Sequence, residues 1–300
     1  MSPRKSDADR IAAIEALVCR DVGRKTAELI AASAGELVAA GRALADATSV
    51  GLITGFFVPR GEVAAPETDG PVGTALLAAA LAACGVPARI AVDTPCAGAV
   101  RAAVGAAGGD VAVDEVGVDE GLEPLIDDWR SAGVSHAIAI ERCGRSADGR
   151  PRNMRGVDVS PWTAPLDELF VAGPWIRLAV GDGGNEIGMG RVRARLAREG
   201  RLMARIASVV SVDHLVVAGV SNWGAYGIVA QLGRLTGQRL LHQPDDERRL
   251  IAACVEAGAV DGITRRRERT VDGLGADTHA AMVALLGLSW GDSVPPGERA

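Results

Sequence analysis

Short, continuously apolar runs recur along the 300-residue chain, separated by longer alanine-rich stretches of helix length. The runs at 50–54, 88–92, 110–113, 135–140, 176–180 and 214–218 have the length of strands but lack the alternation of a sheet with one wet face. Strands covered on both faces read this way, so the pattern predicts an α/β fold with a mainly parallel sheet flanked by helices. Ahead of the first run, residues 7–20 and 25–45 read as amphipathic helices, the first with Ile11, Ile14, Leu17 and Val18 on one stripe. They are expected to form an N-terminal helical layer, residues 1–47, packed on an α/β domain at 48–290. Further helices are expected at 223–236, 245–257 and 276–286, followed by a frayed tail at 291–300.

With 48% hydrophobic residues, the chain can bury one large core or two smaller ones. A net charge of -6 gives no broad attraction for a phosphate backbone, so no nucleic-acid partner is expected. Lysine occurs only at Lys5 and Lys25, which leaves cationic work in any site to arginine. The five cysteines are widely separated and contain no Cys-x-x-Cys pair, suggesting neither a zinc site nor a disulfide framework. No apolar run approaches the length of a membrane span and no signal-peptide core is visible, so a cytoplasmic protein without a membrane partner is expected.

Ligands of open α/β sheets sit beyond the carboxyl ends of the strands, and four such segments carry unusual chemistry. The run Gly181-Asp-Gly-Gly-Asn-Glu-Ile-Gly-Met-Gly190 sets Asp182, Asn185 and Glu186 among five glycines. Its oxygens can gather a hard cation or a polar substrate, and the backbone of Gly183 and Gly184 can approach a ligand closely; plain turn chemistry is the simpler alternative. Glu186 stands where a dinucleotide fingerprint needs its third glycine, which disfavours NAD. Glu67 and Asp69 precede Pro71, a residue suited to a first helical turn, and Asp69 alone is equally well explained as a complement to the helix dipole. Glu141 lies directly at a strand end. It opens a long polar segment whose Arg142, Arg145, Arg150, Arg152 and Arg155 form either an anion clamp or a solvated loop. In the fourth segment Asn222 can orient a carboxylate or amine and Trp223 can wall a pocket, although Ser221 or Asn222 would serve as well as a helix cap. Asp272 reads as part of a plain turn. No phosphate-binding loop or Gly-x-Ser-x-Gly elbow occurs, and the four histidines are isolated.

In this order, Thr54-Gly-Phe with Val58-Pro59, Glu67-Thr-Asp-Gly-Pro71, Ile140-Glu-Arg142, Gly144-Arg145, Asn153-Met-Arg-Gly156, the glycine run, Ser221-Asn-Trp-Gly-Ala225 and Thr270-Val-Asp-Gly273 resemble the D-glutamate cyclase family. The resemblance extends over residues 50–277, and the glycine run is its most specific part. It implies a lyase that closes D-glutamate to 5-oxo-D-proline with loss of water. Such a catalyst must neutralise a carboxylate, hold the substrate curled and move protons. On that reading Glu67, Asp182, Asn185 and Glu186 hold a divalent Mg²⁺ or Mn²⁺, while Asp69 and Glu141, with Asn222, serve the proton transfers. Arg142, Arg145, Asn153 and Arg155, with Gly183, Gly184 and Trp223, would bind the substrate. The expected partner is a small acidic metabolite, and a homo-oligomer is left open. A metal-dependent hydrolase of a lactone, lactam or phosphate ester, or a non-catalytic protein that binds a metal or metabolite, would use the same residue types.

Overall fold

The computed structural model describes residues 6–60 and 63–290. In chain order the strands are β1 (Val50–Thr54), β2 (Phe57–Arg60), β3 (Val63–Pro66), β4 (Ala88–Asp93), β5 (Ala112–Val116), β6 (His136–Ile140), β7 (Ile176–Gly181), β8 (His214–Val217), β9 (Thr270–Val271) and β10 (Leu274–Gly275). The helices are α1 (Asp7–Val18), α2 (Ala27–Ala32), α3 (Glu36–Ala45), α4 (Pro71–Ala83), α5 (Thr94–Ala106), α6 (Glu123–Ser131), α7 (Leu166–Val171), α8 (Arg193–Leu196), α9 (Arg201–Ile206), α10 (Ser221–Thr236), α11 (Pro244–Glu256) and α12 (Ala276–Trp290). The tail expected at 291–300 lies outside the described residues.

Six strands pair in parallel in the order β5–β4–β1–β6–β7–β8, confirming the α/β class. Successive side chains of a strand point to opposite faces, and here the two faces differ in bulk. Leu52, Ile138, Ile140, Leu178 and Val180 meet the apolar sides of α3, α4 and α10. Ile53, Ala137, Ala139 and Ala179 share the other core with Trp129 of α6 and Phe170 of α7. Small strand residues on this second face leave room for large helix side chains: Gly51 lies so close to the Trp129 ring that a Cβ would overlap it.

Three elements differ from the sequence expectation. The strand expected at 110–113 is β5, which runs over Ala112–Val116 and carries Asp114 and Glu115 at the sheet edge. The helix expected at 25–45 is interrupted between α2 and α3, where Gly35 takes a left-handed φ of 83°. The segment after β1, read as a loop, forms the antiparallel β2–β3 ribbon. Its prolines, Pro59 and Pro66, disfavour a sheet interior but are tolerated in a two-stranded ribbon with free edges. N-terminal helices α1 and α3 pack on α10, and α1 also meets α12.

The strand order sets the site. From β1 the chain builds outward through β4 to β5, then crosses and builds the other way through β6 and β7 to β8. Connections leave β1 and β6 in opposite directions, which opens a crevice at their carboxyl ends, the usual ligand position in doubly wound sheets.

Candidate active site

Six acidic side chains converge on that crevice. Thr54 at the end of β1 donates its hydroxyl to the Ile140 carbonyl at 2.8 Å, closing the strand ends together, and Glu141 follows immediately. Glu141 holds a positive φ of 44°, a conformation that costs a non-glycine residue and is kept where the surroundings impose it. Glu67 emerges from the β2–β3 ribbon; its carboxylate occupies the space where a side chain on Gly262 would be, so a larger residue at 262 would displace it. Glu67 and Glu141 both line a cleft of about 110 Å³, together with Arg24, Asn153, Arg155 and Asp272.

Behind the cleft wall, two helix starts cap one another. The Asp69 carboxylate accepts the Ser221 and Asn222 N–H groups at 2.9 and 2.8 Å, at the first turn of α10. Asn222 in return accepts the Gly70 and Gly73 N–H groups at 3.0 and 2.8 Å, at the first turn of α4, and donates to the Thr68 carbonyl. Each side chain satisfies orphan donors of the other's helix, and both positive helix ends face the acidic cluster. Ser221 adds a bridge, donating its hydroxyl to Glu141 Oε2 at 2.5 Å.

The glycine run folds around its own glutamate. Glu186 accepts the Asp182 and Gly183 N–H groups through Oε1 at 3.0 and 2.6 Å, and the Gly184 N–H through Oε2 at 2.5 Å. Converging N–H groups of this kind form an anion-binding nest, and Gly184 reaches its place in it with a φ of 121°. Here the anion is internal. Glu186 therefore shapes the loop that presents Asp182, and the Gly183 and Gly184 amides are spent on it. Asn185 donates to the Arg152 carbonyl at 2.7 Å and ties the glycine run to the arginine loop.

Sequence reasoning gave no role to Arg24 and read Asp272 as a turn. Arg24 Nη1 lies 2.7 Å from Asp182 Oδ2 and 2.7 Å from Asp272 Oδ2. Its loop, between α1 and α2, is built by Asp21, whose Oδ1 accepts the N–H groups of residues 23, 24 and 25. The neighbouring Arg20 stacks over the Trp223 ring at 5.5 Å. Asp272, at the β9–β10 turn, has a φ of 53°. Trp223 Nε1 donates to His279 Nδ1 at 2.8 Å, so His279 carries its proton on Nε2 and donates to the Val271 carbonyl. Thr68 holds the same turn through the Thr270 carbonyl. Backbone strain offered no sequence signal at Glu141, a residue type that rarely takes a positive φ.

Burial raises the pKa of four of these carboxyls. Glu67, Glu141 and Asp182 are pushed well up, first by desolvation; Asp272 and Asp69 add to it at Glu67, while Glu186 leads the carboxylates around Glu141. Asp69 is pushed up to about 8 by burial and then by Asp272, although its two helix N–H bonds oppose the shift. Burial also disfavours charge on Arg24, but Asp182, Asp272, Glu141 and Glu186 hold it firmly protonated. Two groups of three carboxylates, Asp69–Asp182–Asp272 and Glu141–Asp182–Glu186, have oxygens within 4.8 Å of one another. Asp182 belongs to both, and its Oδ1 is buried without a hydrogen-bond partner among the described residues. An acceptor oxygen left bare in that position fits a hard cation. Glu67, expected among the ligands, stands in neither group.

The arginines expected to clamp a substrate divide. Arg142 is fully buried, with Nη1 2.6 Å from Asp93 Oδ2 and further bonds to the Gly55 and Ala164 carbonyls, so it braces the loop and does not reach the cleft. Arg145 pairs with Asp167 at 2.8 Å, also off the cleft wall. Arg155 does line the cleft, and Asn153 shapes the backbone beside it by accepting the Arg155 and Val157 N–H groups. Trp223 is buried beneath Arg20 and forms no part of the cleft wall. Cys143, within the arginine loop, is buried and its thiol pushed up by that burial, which leaves it a packing residue.

The chain is 35% identical over 212 residues to the human protein named D-glutamate cyclase, mitochondrial, a match covering 66% of this chain and 34% of the human one. It thus spans about a third of the length of that relative. The family described as D-glutamate cyclase-like, C-terminal matches residues 14–287, which takes in every segment that builds the cleft, from the Arg24 loop to the Asp272 turn. The chain belongs to the D-glutamate cyclase-like C-terminal family.

Proposed function

We propose that this chain is a D-glutamate cyclase-like lyase, converting D-glutamate to 5-oxo-D-proline and water. The observation that carries the reading is the pairing, on one small cleft wall, of buried carboxyls whose pKa values are raised with guanidinium groups that can receive carboxylates. The net reaction joins the amine nitrogen to C5 and expels one carboxylate oxygen; two protons leave the ammonium and two reach the departing oxygen. A carboxyl whose pKa is raised by burial can carry a proton between the two halves. Glu141 is the candidate on the cleft wall, and Ser221 connects it to Asp69 behind. Glu67, on the opposite ribbon, offers a second carboxyl within the cleft.

Closing a five-membered ring within one molecule gains greatly from orientation alone, so holding glutamate curled is much of the task. Arg155 and Asn153 at the mouth and the acidic wall behind favour a ligand that carries both signs of charge. Asp182, with Asp69 and Asp272, would hold a divalent Mg²⁺ or Mn²⁺, which when bound supplies Lewis-acid polarisation of the γ-carboxylate. Incubation with D-glutamate, with and without Mn²⁺, followed by chiral product analysis is expected to give 5-oxo-D-proline. Absence of product across pH and metal, with hydrolysis of a lactone, lactam or phosphate ester in its place, would reassign the same cleft to a hydrolase.

A further inference from the structure

The two arginines nearest the acidic strand ends in sequence, Arg142 and Arg145, are spent on Asp93 and Asp167. A cleft with Glu67, Glu141, Glu186 and Asp272 in its wall needs cations beside them to receive a dicarboxylate, and Arg24 and Arg155 both line it. The geometry points to Arg24, from the N-terminal helical layer, as the residue that receives a carboxylate of the bound ligand. This inference rests on the cyclase reading for the identity of the ligand but not for the presence of a carboxylate on it.

Three observations support it. Nη1 is fixed by Asp182 and Asp272 together, so the guanidinium plane is set before any ligand arrives. Nη2 and Nε have no hydrogen-bond partner among the described residues, while the side chain is 22% exposed and lines the cleft. A guanidinium with one edge held and another open is suited to fork-like recognition of a carboxylate. Finally, the loop carrying Arg24 is built for rigidity: Asp21 collects three of its N–H groups, Arg20 stacks on Trp223, and Lys25 takes a positive φ of 63° to complete the turn. The N-terminal layer is thereby a working part of the site as well as a cover for the core.

The test compares wild type, Arg24→Met and Arg24→Lys, with Arg145→Met as a control off the cleft. Affinity is measured calorimetrically for D-glutamate, 5-oxo-D-proline and the neutral amide of 5-oxo-D-proline, and turnover of D-glutamate is followed in parallel. Folding is checked for each variant by circular dichroism. The inference predicts that Arg24→Met weakens the two carboxylates roughly 10–100-fold while leaving the amide unchanged, that Arg24→Lys recovers part of the loss, and that Arg145→Met changes neither. Equal weakening of acid and amide, or unchanged carboxylate affinity in Arg24→Met, overturns it. Carboxylate binding that depends on Arg24 in a wild-type protein without turnover would uphold the anchor while removing the cyclase reading. A wild-type protein that binds neither carboxylate would overturn the anchor.

Discussion

At the residue scale, the carboxylates of the cleft do different work despite their proximity. Glu186 is saturated by three backbone N–H groups, whereas Asp182 keeps one buried oxygen bare. Glu186→Gln offers one carbonyl oxygen where two carboxylate oxygens accepted, and sets an amide NH₂ against backbone donors. It should cost about 1–3 kcal/mol in urea unfolding, with the glycine run loosened. An unchanged unfolding midpoint would show that the nest does not need its carboxylate. This difference was hidden in the sequence, where Asp182 and Glu186 both read as ligands among flexible glycines. Arg24 and Asp272 were hidden for a related reason. Each sits in a short polar turn of ordinary composition, and only the long-range pairing of residues 24, 182 and 272 gives them a role.

At the element scale, the reciprocal capping by Asp69 and Asn222 joins α4 and α10 at the switch point of the sheet. Asn222→Ala leaves the Gly73 N–H group without its acceptor and the Gly70 N–H group with Asp69 Oδ1 alone, and a loss of about 1–2 kcal/mol is expected in chemical denaturation. Turnover should fall with it, since Ser221 at that helix start holds Glu141 through its hydroxyl; full stability in the variant would contradict the capping role. The covered strands were legible because fully covered parallel strands must be continuously apolar, and residues 50–54 match β1 end for end; β5, a half-exposed edge strand with Asp114 and Glu115, was legible only in part. The β2–β3 ribbon was not, because Pro59 and Pro66 carry the signature of a loop. The arginine loop was legible as special but not in its direction. Nothing local to Arg142 announces that Asp93, on β4, will claim it in the interior.

At the scale of the whole molecule, strand order was beyond the sequence, since it is fixed by pairings between runs of nearly interchangeable apolar residues. Its consequence is electrostatic: the crossover gathers six acidic groups from four separate segments into one buried volume. Asp69 ordinarily titrates near 3.8 and is pushed up to about 8, and Glu67, Glu141 and Asp182 move the same way. The native protein therefore binds more protons than the unfolded chain across that interval, so stability falls as pH rises from about 4 to about 8. Urea titrations over this range should show the decline without added cation, and Mn²⁺ should reduce it by taking the place of protons among the carboxylates. A flat profile would mean that the cluster carries no excess protons. No helix among the described residues is long and apolar enough to cross a membrane.

In the proposed function, the carboxylates gathered at the strand switch convert D-glutamate to its lactam. The most direct measurement follows D-glutamate by proton NMR in the presence of Mn²⁺, with wild type and Asp182→Ala at equal concentration and equal folded fraction. Steady formation of 5-oxo-D-proline is expected from the wild type, and none above the uncatalysed background from the variant. Equal rates from the two proteins would contradict it.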